Sequence, residues 1–163
     1  MSADRTLPKV LKIDHLQVFE PLTKKQRTAY DSWRQGDNLV LNGSAGTGKT
    51  FNALYLAAEA CLDKSTTYET MHIIRSVVPT RDMGFMPGSY DEKLNLYNGP
   101  YKSIFSELFN CGDAYERLVA DGKLIFESTS YLRGLTFSDS IVIVDECQNM
   151  SFHEVNSVVT RLG

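Results

Sequence analysis

The 163-residue sequence lacks most of the features that mark specialised protein classes. Its three cysteines, Cys61, Cys111 and Cys147, are widely spaced and form no C-x-x-C pair, so we expect neither a zinc site nor a disulfide framework. No apolar run approaches the roughly 18 residues of a membrane span, and the first residues lead into no apolar signal segment. The sequence therefore predicts a reduced, cytoplasmic setting without membrane contact.

There is also no excess of positive charge. The net charge is −3, so any nucleic-acid contact must be local rather than the result of a global basic field. The three histidines are isolated and have no metal-ligand spacing. With 42% hydrophobic and 23% charged residues, the composition is that of an ordinary globular protein. We expect one domain over residues 21–163, preceded by a lead-in segment over residues 1–20.

One specific motif is present. Eight consecutive residues fit the phosphate-binding loop pattern G-x-x-x-x-G-K-[ST] at every fixed position: Gly43, Ser44, Ala45, Gly46, Thr47, Gly48, Lys49 and Thr50. A predicted short buried strand, 38–42, precedes the loop, and a predicted helix, 49–62, follows it. Main-chain N–H groups and the helix dipole would then face a phosphate chain. Lys49 is expected to reach the β- and γ-phosphates, and the Thr50 hydroxyl to ligate Mg²⁺.

The rest of the sequence alternates between helical and extended patterns. A helix is predicted to begin after Thr23 as N-cap and to end at Gly36, and another to follow Ser151, which forms a capping box with Glu154. The remaining predictions are strands at 70–78, 123–128 and 140–145, helices at 101–110 and 114–120, and a long loop at 79–100. This alternation predicts an α/β fold with a mainly parallel sheet flanked by helices.

The strand predicted at 140–145 ends in two acidic residues, Asp145 and Glu146. An apolar strand with this ending has the form of a Walker B motif, in which the Asp holds Mg²⁺. Open α/β sheets bind ligands at the carboxyl ends of their strands. Glu146 would polarise a water in line with the γ-phosphate, which indicates ATP hydrolysis. Gln148 completes Asp-Glu-x-Gln, a form that helicase-like motors use to couple nucleotide state to nucleic acid.

Several strings carry a resemblance to a known family. Thr23-x-x-Gln26-x-x-x-Tyr30 resembles a helicase Q-motif, whose Gln reads the adenine edge. The block from Arg75 to Gly88 is similar to the R-P…G-F-L-P-G signature of the PhoH-like family. The match continues at 92–94, 100–101, 131–137, 145–149 and 160–163. The resemblance covers roughly residues 20–163 and implies a RecA-like P-loop ATPase core related to superfamily 1 helicases. Phage-encoded members are short, so a phage origin and a bacterial host cytoplasm are expected.

The resemblance also implies partners. ATP and Mg²⁺ are the expected ligands, and single-stranded RNA or DNA is the expected macromolecular partner. Arg75 would contact nucleic acid or form a structural ion pair, and Arg133 would lie at a nucleic-acid or inter-subunit position. Four aromatic residues could stack on exposed bases or attach the long loop to the body: Phe85, Tyr90, Tyr97 and Tyr101.

The sequence departs from the family pattern at Ser76, Leu135 and Cys147, where the family has proline, arginine and alanine. Family members continue beyond the position of Gly163 with a Gly-Asp-x-x-Gln strand and an arginine that faces the γ-phosphate. The C-terminal part of the core is therefore expected to be missing. A neighbouring protomer in a ring-shaped homo-oligomer would then supply the arginine.

Two functions remain open from the sequence. The first is Mg²⁺-dependent ATP hydrolysis coupled to single-stranded nucleic acid, with Glu146, Lys49 and Gln148 as the catalytic residues. The alternative is a regulatory module that binds ATP and a partner with little or no turnover, as the expected absence of the C-terminal motif would favour. A small-molecule kinase is disfavoured, because the Asp-Glu pair and the Q-like motif require no second acceptor substrate.

Overall fold

A parallel β-sheet forms the centre of the protein. The computed structural model describes residues 8–76, 97–132 and 134–162. Within these ranges the strands are β1 (Thr70–Arg75), β2 (Leu124–Ser128) and β3 (Ser140–Asp145). They are all parallel and lie in the order β2-β1-β3. In this register Arg75 lies between Ser128 and Asp145, so the carboxyl ends of the strands meet at one edge.

The α-helices of the described ranges surround the sheet: α1 (Lys24–Arg34), α2 (Lys49–Leu62), α3 (Gly99–Phe109), α4 (Ala114–Ala120) and α5 (Phe152–Val159). Their starts follow from local chemistry. Thr23 and Ser151 form the capping boxes that begin α1 and α5, and α3 begins with Pro100 in its first turn, where a missing N–H costs nothing. No described helix is long and apolar enough to cross a membrane.

The two faces of the sheet are covered unequally. One face packs against α2, α3 and α4 and contains the larger core cluster, with Met71 and Ile73 of the central strand fully buried. The other face carries a smaller cluster in which Ile74 and Val158 are buried. β1 is thus covered on both sides, as central strands of parallel sheets are, and its three apolar residues, Met71, Ile73 and Ile74, are its buried ones.

Most predicted elements are confirmed, including the α/β class and the parallel sheet. The strand predicted at 38–42 is wrong, because this stretch has no strand structure. Leu39 and Leu41 are half-buried while Val40 is 92% exposed, so the stretch has the alternation of a strand. A strand also requires a hydrogen-bonded neighbour, and no described strand lies beside it. The predicted loop at 79–100 lies largely outside the described residues, but α3 already begins at Gly99.

The described part of the N-terminal segment packs against the main body. Leu11 is 3% exposed within the larger core cluster. The Phe19 ring contacts Phe51 and Tyr55 of α2 at centroid distances of 5.0 and 5.8 Å. The main-chain N–H of Gln17 also donates to the α3 residue Leu108. These contacts fix the segment leading into α1, and the boundary at residue 20 stays a prediction.

Candidate active site

Two glycines of the phosphate loop adopt backbone conformations that other residues rarely adopt. Gly46 and Gly48 have φ angles of 74° and 76°, in the left-handed region where a side chain is strained. Gly48 is the N-cap of α2, whose first helical residue is Lys49. The loop therefore opens directly onto the N-terminus of a 14-residue helix. Unpaired N–H groups and the positive end of the helix dipole make such a terminus a favourable place for an anion.

Lys49 folds back over the loop. Its Nζ donates to the carbonyl oxygens of Gly43 at 2.9 Å and Ser44 at 2.8 Å. The Thr47 hydroxyl donates to the same Ser44 carbonyl at 2.8 Å. The ammonium group is thus held by neutral acceptors in the loop itself. It can exchange them for phosphate oxygens, which bind an ammonium more strongly because the hydrogen bond is charge-assisted on both sides.

Two buried side chains support the loop: Asn52, which sequence analysis missed, and Tyr30, which it named only as part of the Q-motif string. The Asn52 side chain donates to the Gly48 carbonyl at 2.7 Å and accepts from the Tyr30 hydroxyl at 2.9 Å. Burial raises the pKa of Tyr30 to about 12, so the hydroxyl keeps its proton and remains a donor at neutral pH. This chain of bonds fixes the loop to both α1 and α2. A polar residue within an otherwise apolar helix face was the available signal for Asn52.

Gln26 contacts the loop as well. Its Nε2 donates to the Thr47 carbonyl at 3.2 Å, and its Oε1 accepts from the main-chain N–H groups of Leu22 at 2.8 Å and Thr23 at 3.1 Å. The amide therefore joins the start of α1 to the phosphate loop. One Nε2 hydrogen is left for a ligand, and Oε1 must leave the cap or accept a third bond to pair with adenine. The prediction that Gln26 reads adenine stays a prediction.

The acidic half of the site lies at the end of β3. The Thr50 hydroxyl donates to Oδ1 of Asp145 at 3.1 Å, and the Tyr101 hydroxyl donates to Oδ2 of the same carboxylate at 2.8 Å. Thr50 and Asp145 are 95 positions apart in the sequence. The structure thus brings together the two predicted Mg²⁺ ligands. It also adds Tyr101, whose role the sequence did not indicate although the residue lies in a string shared with the family.

The environment of Tyr101 keeps its hydroxyl protonated. Tyr101 is fully buried and its ring lies 5.5 Å from that of Phe126. Burial, followed by the adjacent Asp145 carboxylate, raises the pKa of Tyr101, and Arg75 acts in the opposite direction. A fully buried ring cannot stack on an exposed base, so of the two roles left open for Tyr101 the structure excludes base stacking and agrees with packing against the body. Phe85 and Tyr90, for which the same role was predicted, lie outside the described residues.

Glu146 adopts an unusual backbone conformation. Its φ angle is 52°, in a region that residues with side chains rarely occupy and that is enriched at functional sites. Glu146 directly follows β3 and is exposed. The Gln148 amide donates to Oε2 of Glu146. The predicted base and the predicted sensor therefore form one hydrogen-bonded pair directly beyond the Asp145 carboxylate.

The donor set fits Mg²⁺ accompanied by a phosphate. Thr50 and Asp145 offer a hydroxyl and a carboxylate, the oxygen ligands that Mg²⁺ prefers. No group of three His, Cys, Asp or Glu among the described residues could hold a metal ion. Few protein ligands are typical of Mg²⁺ in nucleotide sites, where water and phosphate oxygens complete the shell.

The structure describes only one of the two arginines predicted to contact nucleic acid. Arg75 is half-buried at the end of β1, with its guanidinium 5.6 Å from the centre of the Tyr97 ring. Neither salt bridge found within the described ranges involves Arg75, and the choice between a nucleic-acid contact and an ion pair stays a prediction. Arg133 lies outside the described residues. A third arginine, Arg161, donates to the carbonyls of Leu132 and Ser157, which assigns it a structural role.

Glu154 connects the segments that follow the three strands. Its Oε1 accepts from Thr129 after β2 at 2.6 Å and from Ser76 after β1 at 3.1 Å. Its Oε2 accepts from the N–H and hydroxyl of Ser151, after β3, at 2.8 and 2.9 Å. The bond from Thr129, together with those from Ser151 and Ser76, lowers the pKa of Glu154 to about 2. The capping box predicted Glu154, but not its contacts with the other two strands.

Comparison with known proteins decides the family. The model of the PhoH-like protein family matches residues 18–163. The chain belongs to the PhoH-like family. This confirms the resemblance carried by the sequence, and PhoH-like proteins are a family of P-loop ATPases, which agrees with the position of the phosphate loop.

Individual PhoH-like relatives are similar over most of the chain. Protein PhoH2 of Bacillus subtilis is 32% identical over 156 residues, which are 92% of this chain and 35% of the relative. A PhoH-like protein of Synechocystis is 33% identical over 153 residues, 90% of this chain and 44% of the relative. Protein PhoH of Escherichia coli is 32% identical over 127 residues, which are 77% of this chain and 35% of the relative. The chain thus spans less than half the length of these relatives.

Proposed function

We propose that this PhoH-like chain binds ATP with Mg²⁺, hydrolyses it, and couples hydrolysis to single-stranded RNA or DNA. The observation that carries this proposal is the 3.1 Å contact between Thr50 and Asp145. It places the acidic end of β3 directly beside the helix N-terminus that follows the phosphate loop. A structural turn rich in glycine would have no need of a carboxylate at that position.

Each residue then has a defined task. The N–H groups of residues 45–50 and the Lys49 ammonium neutralise the phosphate chain. Thr50 and Asp145 hold Mg²⁺, which supplies positive charge to the phosphates when bound. Glu146 orients the attacking water and accepts its proton, and the Gln148 amide holds the Glu146 carboxylate. Gln26 is proposed to form hydrogen bonds with the adenine edge while its Nε2 stays bonded to the Thr47 carbonyl of the loop.

Coupling to nucleic acid rests on Arg75. Its guanidinium lies against the half-buried Tyr97 ring at the carboxyl edge of the sheet, and an arginine beside an aromatic ring is a common pair for contacting bases and phosphates of single strands. Arg133 is proposed for the same surface. A homo-oligomeric ring, in which a neighbour supplies the arginine for the γ-phosphate, and a location in the cytoplasm of a phage's bacterial host complete the proposal.

A regulatory ATP-binding module is the second candidate, and two observations favour it. Glu146 already accepts a hydrogen bond from Gln148 at Oε2, which competes with an attacking water for that oxygen. Arg161 is occupied by main-chain carbonyls and cannot serve as the arginine for the γ-phosphate without leaving them. In this alternative, ATP would change the conformation of the acidic segment without rapid turnover.

The two candidates are separated by a turnover assay on the purified chain. Phosphate release is measured with Mg·ATP alone, with single-stranded RNA and with single-stranded DNA, over a range of protein concentrations. Lys49→Ala is the control for contaminating ATPase. Stimulation by a single strand supports the coupled ATPase, and a rate that rises faster than protein concentration supports assembly. Tight binding with a rate equal to that of Lys49→Ala in every condition would support the regulatory module instead.

A further inference from the structure

The Asp145 carboxylate is bonded at both of its oxygens, and the two bonds are unequal in kind. The donor to Oδ1 is Thr50, at 3.1 Å, which is itself a proposed Mg²⁺ ligand. The donor to Oδ2 is Tyr101, at 2.8 Å, which has no other task in the proposed mechanism. A metal would be held by the Thr50 oxygen and Oδ1, on the side of the carboxylate that faces the phosphate loop, and the Thr50 hydroxyl has lone pairs free for it. The bond from Tyr101 uses the other oxygen and need not change.

Tyr101 is well placed to hold that carboxylate still. It lies in the first turn of α3, is 0% exposed and packs against Phe126 of β2. A ring enclosed in this way has few alternative positions, and its hydroxyl needs a partner because a buried donor without one is costly. A rigid donor therefore fixes the orientation of an otherwise rotatable carboxylate at the end of β3.

The arginine on the neighbouring strand does not replace Tyr101 as a partner of Asp145. The register places Arg75 beside Asp145 on the neighbouring strand, yet within the described ranges no salt bridge joins the two residues. The Arg75 guanidinium instead lies 5.6 Å from the centre of the Tyr97 ring. Within these ranges the hydrogen-bond partners of Asp145 are therefore Thr50 and Tyr101 rather than the arginine beside it.

We propose that Tyr101 is a positioning residue for Mg²⁺, which orients Asp145 so that Oδ1 faces the Thr50 hydroxyl at the phosphate loop. The inference rests on the proposed nucleotide function and deepens it. Hydrogen-bond partners that orient metal ligands typically contribute about 10- to 100-fold to metal affinity. The same range is expected for the single hydroxyl of Tyr101.

The test is the Mg²⁺ dependence of nucleotide binding by wild type and Tyr101→Phe. The affinity for a fluorescent ATP analogue is measured in EDTA and at increasing Mg²⁺ concentrations. We expect Tyr101→Phe to need about 10- to 100-fold more Mg²⁺ for half of the Mg²⁺-induced gain in affinity, with the affinity in EDTA unchanged. Tyr115→Phe is the matched control: Tyr115 is also buried and packs on Phe105, but its hydroxyl makes no hydrogen bond to the described residues.

Three results would overturn the proposal. The first is an unchanged Mg²⁺ midpoint in Tyr101→Phe. The second is an equal decrease in affinity with and without Mg²⁺, which is the sign of a merely structural role. The third is a Mg²⁺ effect of the same size in an Asp145→Asn background, where the positioned carboxylate is gone and the effect should vanish. If wild type binds no nucleotide in any condition, the proposed function fails and the role of Tyr101 with it.

A second measurement does not depend on the folding of Tyr101→Phe. A chain with 3-fluorotyrosine only at position 101 is titrated with Mg²⁺ at constant ATP and followed by fluorine NMR. We expect the resonance to shift with the midpoint of the Mg²⁺-induced gain in affinity, because the hydroxyl is bonded to the ligand carboxylate. A resonance that stays unmoved while Mg²⁺ strengthens ATP binding would contradict the proposal.

Discussion

The two halves of the candidate site are held in different ways. In the phosphate loop, the side-chain bonds of Thr47 and Lys49 reach residues only three to six positions away. At the acidic end, the bonds to Asp145 reach Thr50 and Tyr101, 95 and 44 positions away. The loop's own side chains therefore close it locally, with Gln26 and Asn52 attaching it to α1 and α2, whereas the acidic half exists only when strands and helices are assembled. Changes at the loop should act on nucleotide binding, and changes at the acidic end on catalysis, metal dependence and assembly.

The largest effect is expected at the acidic end. Glu146→Gln keeps the shape of the side chain but removes the base, so hydrolysis should fall by about 10²- to 10⁴-fold while ATP affinity is retained. Glu69→Gln, just before β1 at the opposite edge of the sheet, should leave both unchanged. Phosphate release and equilibrium binding measure the two quantities. Hydrolysis at the wild-type rate in Glu146→Gln would show that another group accepts the proton.

At the loop, Lys49→Ala should weaken binding itself. A charged hydrogen bond is worth roughly 1.5–3 kcal/mol, so the affinity for a fluorescent ATP analogue should fall at least about tenfold for each hydrogen bond to phosphate that the substitution removes. Lys64→Ala, an exposed lysine beyond the end of the same helix, is the control. Thermal melting establishes that the variant is folded. An unchanged affinity in a folded Lys49→Ala protein would remove the loop's assignment to phosphate.

Gln26 tests the contact between α1 and the loop. If the Gln26 amide reads the base, the site should prefer ATP over GTP, since a mismatched edge leaves buried polar groups unpaired at a cost of roughly 1–3 kcal/mol. Gln26→Ala should remove that preference, and Gln35→Ala, at the other end of α1, should keep it. Competition between ATP and GTP for one site gives the ratio. Equal affinities in wild type would leave Gln26 with its structural role only.

The smallest effect concerns Glu154, which tests assembly of the acidic half. Its pKa of about 2 lies below the ordinary value of 4.5, so the unfolded chain binds the proton more readily than the folded one. The resulting stability is fully present above about pH 4.5 and is lost as the pH falls towards 2. Because solvent screens this carboxylate, we expect a small decrease in melting temperature for Glu154→Gln at pH 7 that shrinks on acidification.

Glu107→Gln provides the reference for that experiment, since Glu107 is an exposed glutamate on α3. Thermal melting of both variants and wild type between pH 3 and 7 measures the difference. A Glu154→Gln deficit that is the same at every pH would mean that the charge of Glu154 contributes nothing, and that only the shape of its hydrogen bonds matters.

The features of this protein that depend on neighbouring residues could be predicted from the sequence. The phosphate loop, the acidic end of β3 and the caps at Thr23 and Ser151 are patterns of neighbouring residues, and the structure places each where the sequence predicts it. The same reasoning misplaced a strand at 38–42. Its alternating pattern is real, but a strand also needs a neighbouring strand to bond with. The sequence of the segment does not determine whether such a neighbour is present.

The sequence by itself determined the α/β class, the parallel sheet and the conformation of the phosphate loop, because short-range hydrogen bonds, glycine dihedrals and apolar periodicity depend on adjacent residues. Only the tertiary structure decided that Tyr101 bonds Asp145, that Asn52 and Tyr30 support the loop, and that Glu154 joins the segments after three strands. These are contacts between side chains far apart in the chain. In the unfolded chain a hydroxyl or an amide can bond to water. Its protein partner is decided only when folding buries it beside another polar group.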